Sequence, residues 1–188
     1  MLILASLSPR RKELLGRLLL PFEVIAANVN EEEEKKDTPE QTVLALSFQK
    51  AMAVAKDHPH DLVLGADTVV ALNHVILGKP HSRKEAFEML SLLSGRTHQV
   101  FSGFTIVGGD RIVSRFEKTD VTFSTLTREE IEWYLDSGES FDKAGAYGIQ
   151  GLGALLVKEI RGDYNNVVGL PLKAVYDCLK KEFGVNLK

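Results

Sequence analysis

The chain has 188 residues, a formal net charge of −3, 44% hydrophobic and 26% charged residues, and a single cysteine. That length suits one domain with a substantial core, expected to span residues 1–188, and the composition excludes a disordered or fibrous chain. The acidic balance argues against a nucleic-acid polymer as partner, no apolar run approaches the ~20 residues that span a bilayer, and one cysteine excludes an internal disulfide or a cysteine zinc cluster.

The start, "MLILASLSP", lacks the basic flank of a signal peptide, which points to the cytoplasm. Strand and helix signals then alternate. "LILAS" is a short apolar strand, and residues 9–19 carry Leu14, Leu15, Leu18 and Leu19 on one helical face. "FEVIAANV" reads as a second strand, followed by the acidic run Glu31 to Glu34. Pro39 opens a helix that runs to about Lys56. "DLVLGADTVVAL" and "VILGKP" flank Asn73-His74, the signature of a two-residue hairpin. Ser82 with Glu85 is a capping-box pattern for a helix ending near Gly95. A second hairpin is expected around Gly108-Gly109, and Thr127 with Glu130 opens another capped helix closed by Gly138. The glycine-rich "DKAGAYGIQGLGA" leads to a strand, "LLVKEI", and a final helix from about Leu172, in which Cys178 reads as a packed thiol. The alternation predicts an α/β or α+β domain with both parallel and antiparallel strand pairs.

Several residues break the pattern their elements set. With Ser8 as N-cap and Pro9 at the first helical position, Arg10, Arg11 and Lys12 fall in the first turn, the end of a helix that disfavours cations. Either the arginines point into water, or they and the helix amides converge on a phosphate. Lys50 lies between Leu46 and Val54 on an inward stripe, so it either snorkels outward or meets an anion. Asp67 and Thr68 follow an apolar strand. If the Asn73-His74 turn has two residues, the register sets Thr68 opposite Lys79 and Asp67 opposite Pro80. An aspartate and a lysine would then share one end of a hairpin, as a plain salt bridge or as a holder of metal or water beside a phosphate.

Other features carry less. The glycines of "DKAGAYGIQG" permit a close backbone approach to a ligand or an ordinary turn, and match neither a phosphate loop nor a dinucleotide fingerprint. Glu31 to Glu34 read as a solvated acidic run or as a source of a metal ligand, and His58 and His60 as loop residues. No serine–histidine–acid set assembles. Dispersed cations, a carboxylate at a strand end and glycine turns together suit a phosphorylated small molecule.

At this point "ASLSPRRKELL", "LGADTVV", "LGKP", "LSGRTHQV", "DKAGAYGIQGLGA" and "GDYNNVVGLPL" resemble, in order and over nearly the whole chain, the Maf proteins. The resemblance implies one Maf-like domain with the mixed α/β fold of the inosine triphosphate pyrophosphatases, a twisted sheet flanked by helices, and two lobes with a cleft between. It implies a nucleoside triphosphate pyrophosphatase that uses a divalent cation, Mg²⁺ or Mn²⁺, to release pyrophosphate and a monophosphate. Carried over, the phosphate-binding residues fall on Ser6, Arg10, Arg11, Lys50 and Lys79, the acidic residue after the second strand on Glu31, and the proton acceptor on Asp67. Asp67 and Glu31 are also the implied metal ligands. The branch acting on dTTP and UTP is marked by Arg10, Thr68 and Gln150, whereas the 7-methyl-GTP branch has glutamine after the aspartate. A glutamine amide offers both donor and acceptor to the O4/N3–H edge of uracil or thymine. The alternative readings are a nucleotide-responsive regulator of septum formation acting through a division-related protein partner, or a pyrophosphatase that prefers 7-methyl-GTP or modified nucleotides; a homodimer is compatible with each.

Overall fold

The computed structural model describes residues 1–30 and 36–186, so the acidic run Glu31 to Glu34 lies outside the described residues. Seven strands share one mixed sheet: β1 (Leu2–Leu4), β2 (Phe22–Val24), β3 (Leu62–Leu72), β4 (Val75–Leu77), β5 (Thr97–Gly108), β6 (Arg111–Phe123) and β7 (Val157–Arg161). Their order is β2-β1-β3-β5-β6-β7, with β4 also paired to β3. β1 runs parallel to β2 and β3; the other pairs are antiparallel. One edge of β3 is shared, by β1 at Leu62–Leu64 and by β4 at Val70–Leu72, which leaves residues 65–69 between the two partners. The opposite edge pairs with β5 along nearly its full length.

The helices are α1 (Pro9–Gly16), α2 (Pro39–Ala55), α3 (Arg83–Leu93), α4 (Arg128–Asp136), α5 (Tyr164–Val168) and α6 (Leu172–Phe183). Side chains alternate between faces along a strand, and that alternation divides the core. Val63, Val69, Ala71, Phe101 and Val107 face α2. On the other face, Leu64, Ala66, Phe104 and Ile106 pack with α1 and α6, while Val70, Leu72 and Val100 pack with α3 and α4. Thr68 and its cross-strand partner Ser102 lie on this second face, between the two apolar clusters. Cys178 is buried in the first of them, and burial pushes its thiol upward. Among the described residues no helix is long and apolar enough to cross a membrane.

The mixed α/β architecture agrees with the sequence reading, and so does the Asn73-His74 turn: both residues have positive φ, and Leu72 pairs with Val75. Four local expectations need correction. α1 stops at Gly16 after two turns, and short bonds from Arg17, Leu18 and Leu19 to the carbonyls three residues back tighten its end. Leu19 takes φ 56° and is 90% exposed, so it leaves the apolar face. The β5–β6 turn is Gly109-Asp110, because Gly108 still pairs with Arg111. Glu85 reaches back to the amide of His81 instead of Ser82, so the cap of α3 is not reciprocal, unlike the full box of Thr127 and Glu130. Finally, β4 ends at Leu77, so the hairpin register does not extend to Lys79 or Pro80. The short helix α5 has no counterpart in the sequence reading.

Candidate active site

The split edge of β3 opens a pocket between the two apolar clusters. It is bordered by the start of α1, by Lys50 of α2, by the middle of β3, and by a loop wall at residues 142–150. Arg10, Arg11, Lys50, Asp67, Thr68, Lys79 and Gln150 all line it.

Ser8 caps α1, its hydroxyl accepting from the Arg11 amide, with Pro9 at the first helical position. This turns Arg11 inward. Its Nε donates to the Gly169 carbonyl (2.9 Å), Nη1 to Ser6 Oγ (3.3 Å) and Nη2 to Thr68 Oγ1 (3.2 Å). Thr68 Oγ1 lies 2.8 Å from Ser102 Oγ, and Ser102 donates to the Asn166 carbonyl. The polar seam of the sheet therefore ends in a guanidinium held from three sides. Ser6 stands behind Arg11 and is not part of the pocket wall. Arg10 lies nearer the mouth, where Nη1 meets Asp142 Oδ2 at 3.2 Å.

Lys50 does not snorkel. Its Nζ donates to Asp67 Oδ1 at 2.7 Å, with both residues almost fully buried. A buried ion pair is weak evidence for stability, because desolvation offsets much of the attraction. Its geometry comes from two glycines on the α2 side of the sheet. A methyl group on Gly65 would collide with the Ser47 carbonyl and the Ala51 amide; one on Gly103 would collide with the Val43 carbonyl. Gly103 is the cross-strand partner of Asp67. Without side chains at these positions, the backbone of α2 lies directly on β3 and β5, which brings Lys50 within reach of the carboxylate. Lys79, expected beside Asp67 from the hairpin register, reaches the same pocket but is not the ion-pair partner.

The opposite wall is irregular chain. Asp142 receives Lys143 on Oδ1 (2.6 Å) as well as Arg10 on Oδ2. Partial burial opposes ionisation, but these cations hold its carboxyl below the usual range. Tyr147 lines the pocket, and its hydroxyl lies 2.7 Å from Nε2 of the buried His98. Burial pushes the imidazole down to about 4, and pushes the Tyr147 phenol up. The Tyr134 hydroxyl accepts from the Gly148 amide, two residues before Gln150.

Sequence reasoning missed Gly65, Gly103, Asp142, Lys143 and Tyr147. A glycine inside a strand signals close backbone approach, so "VLGADT" and "FSGFT" held a readable sign. Asp142 and Lys143 stand in a segment read only for its glycines. Glu31 lies outside the described residues. His58 makes a local 3.6 Å contact with Asp61, and the described residues contain no group of three or more His, Cys, Asp or Glu suited to a metal ion.

A family model described as Maf-like protein matches residues 1–182. A dTTP/UTP pyrophosphatase of Clostridioides difficile (strain 630) is 50% identical over 188 residues, 99% of this chain and 97% of that protein. A dTTP/UTP pyrophosphatase of Thermoanaerobacter sp. (strain X514) is 53% identical over 189 residues, covering 99% of this chain and 98% of its own. Among solved structures, a HAM1 protein from Coxiella burnetii superimposes with a TM-score of 0.55 at 14% identity, over 96% of this chain and 98% of that one. That last likeness speaks to the fold alone.

Proposed function

The chain belongs to the Maf family, and from that footing we propose that it hydrolyses dTTP and UTP to the monophosphate and pyrophosphate. The observation that carries the reading is a local imbalance of charge. Among the described residues, Arg10, Arg11, Lys50, Lys79 and Lys143 border a pocket that contains two carboxylates, Asp67 and Asp142, in a chain of net charge −3. This excess of cations among the described residues suits a polyanion better than a neutral metabolite. The relatives named dTTP/UTP pyrophosphatase support the nucleotide class.

In this mechanism Arg10, Arg11 and Lys79 receive the triphosphate oxygens, and Ser6 and Thr68 keep the Arg11 guanidinium aimed at them. Lys50 orients Asp67, whose carboxylate accepts a proton from an attacking water. The water oxygen bonds to the α-phosphorus while the bond from that phosphorus to the bridging oxygen breaks, and pyrophosphate leaves with the electron pair. Gln150 meets the base, its amide offering a donor and an acceptor to the O4/N3–H edge. Arg10 and Thr68 join Gln150 in selecting uracil and thymine nucleotides on the strength of the resemblance to the dTTP/UTP branch.

Among the described residues a divalent cation finds one carboxylate on β3 here, Asp67, which suits an ion that takes most of its ligands from substrate and water. Among the described residues only Oδ1 of Asp67 is taken by an ion pair, so its second oxygen can contribute one ligand. Mg²⁺ characteristically takes one or two carboxylates and completes its shell with substrate phosphates and water. Asp67 would hold it, with Glu31 as the second carboxylate the sequence offers. Once bound, such an ion lowers the pKa of water and spreads phosphate charge.

Pyrophosphate release from dTTP, UTP, CTP, GTP and 7-methyl-GTP, with Mg²⁺ or Mn²⁺, tests the reading. Release from dTTP and UTP is expected, with a loss of about a thousandfold in Asp67→Asn. Release from 7-methyl-GTP alone would overturn the pyrimidine assignment. Nucleotide binding without any release would move the protein to the class of nucleotide-responsive regulators.

A further inference from the structure

Gln150 sits in a segment that should not hold still. Gly148, Gly151 and Gly153 surround it, and glycine has the largest conformational freedom to lose on ordering. Gln150 is also the N-cap residue of a 3-10 turn, Gly151–Leu155, yet its own side chain makes no bond to that turn. A capping residue whose side chain does not cap leaves the amides of the turn to another acceptor.

That acceptor is Glu139, just beyond α4. Its Oε1 accepts from the Leu152 amide (3.2 Å) and its Oε2 from the Gly153 amide (3.4 Å). Gly151 has φ 65°, and a methyl group there would stand 2.6 Å from Glu139 Oε1. The backbone carbonyl of Glu139 accepts in turn from Lys143 Nζ at 2.6 Å, and the stem of Lys143 packs on Gly148. Glu139 therefore fastens the segment carrying Gln150 on both sides, alongside the Tyr134 hydroxyl at Gly148, and hydrogen bonds to a charged acceptor are about twice as strong as neutral ones.

We propose that Glu139 is a positioning residue for base selection: by capping the turn in place of Gln150, it leaves the Gln150 amide turned to the nucleotide in one orientation. The proposal rests on the nucleotide reading above. Among the described residues assigned to the site no other side chain caps this turn, and Glu139 itself does not line the pocket.

The experiment compares kcat/KM for UTP and CTP in wild type, Gln150→Ala, Glu139→Ala and Glu139→Gln, with thermal melting of each. Glu139→Ala should lower the UTP-to-CTP ratio about tenfold, most of the loss expected in Gln150→Ala, while kcat on UTP changes about threefold or less. Glu139→Gln retains one uncharged acceptor and should fall between wild type and Glu139→Ala, which keeps the test informative if the alanine variant folds poorly. A purely structural role would lower the melting temperature and leave the ratio unchanged; that result, beside a collapsed ratio in Gln150→Ala, would overturn the role of Glu139. An unchanged ratio in Gln150→Ala would instead remove the base-reading assignment and the inference with it.

Discussion

The pocket has two walls built by opposite means. Its floor is regular structure, in which β3 and β5 present Asp67 while α2, lying on Gly65 and Gly103, brings Lys50 to it backbone against backbone. Its far wall is loop, in which Gly148 seats a lysine stem, Glu139 caps a turn and His98 clamps Tyr147 through side chains. Glycine recurs in both, for different reasons. On the floor it removes an obstacle between two main chains that cannot yield. On the far wall Gly148 makes room for the flexible side chain of Lys143, which can, while Gly153 lies against the Gly148 carbonyl within the loop itself. Rigidity on one side comes from a helix backbone seated on the sheet, and on the other from a few polar contacts together with one close approach inside the loop.

Acid should expose that difference first. His98 is held neutral in the fold, with its imidazole at about 4 against an ordinary value of 6.5. The unfolded chain therefore binds the extra proton first as pH falls, so the stabilisation is complete above 6.5 and is lost on the way down to about 4. The full loss is on the order of 3 kcal/mol. Denaturant unfolding at pH 7.5 and 4.5 should show the larger part of it in wild type and little of that component in His98→Gln. Equal pH dependence in the two proteins would mean that His98 does not fasten this wall.

Next in size is a paired substitution. Gly103→Ala should lift α2 from the sheet, separate Lys50 from Asp67 and lower kcat about tenfold or more, with a smaller change in KM because Arg10, Arg11 and Lys79 stand on other elements. Gly148→Ala, where the obstacle is a lysine stem, should cost about threefold or less. Gly108→Ala supplies the control: it is a crowded glycine of the same strand, against Leu62 and Phe183, remote from the pocket. It should lower the melting temperature and leave kcat unchanged. Equal kcat losses in all three would erase the distinction between the walls. The smallest effect is expected at the mouth, where, on the proposed function, a substrate phosphate would compete with Asp142 for Arg10. Asp142→Asn should lower KM for UTP about threefold in low salt, the scale of an exposed ion pair, and less as salt rises. A raised KM would contradict the competition.

The same division decides what the sequence alone discloses. Local chemistry was readable: the Ser8-Pro9 start of α1, the Thr127 capping box and the Asn73-His74 turn each depend on neighbours within a few residues. Lys50 announced itself as a charge on an apolar stripe, although its partner did not. For Asp67 the hairpin register points to Lys79, but β4 ends at Leu77, and the lysine that reaches the carboxylate comes from another layer of the fold. Gly65 and Gly103 carry a local sign of close approach, a glycine inside a strand, but nothing local names α2 as the element that approaches. The loop wall was the least legible, since Asp142 faces Arg10 across 132 positions of chain. The placement of Arg10, Thr68 and Gln150 as a selective set came from family resemblance and not from their spacing.

The tethering of Arg11 has a calorimetric consequence. An arginine in solution samples many rotamers, and fixing it on a ligand costs up to about 2 kcal/mol of side-chain entropy. Here Gly169, Ser6 and Thr68 restrict that freedom in the folded protein before any nucleotide arrives. Association should therefore show a smaller entropic opposition than a flexible cationic rim would impose, and the encounter of phosphate with this guanidinium becomes one between two shapes already set.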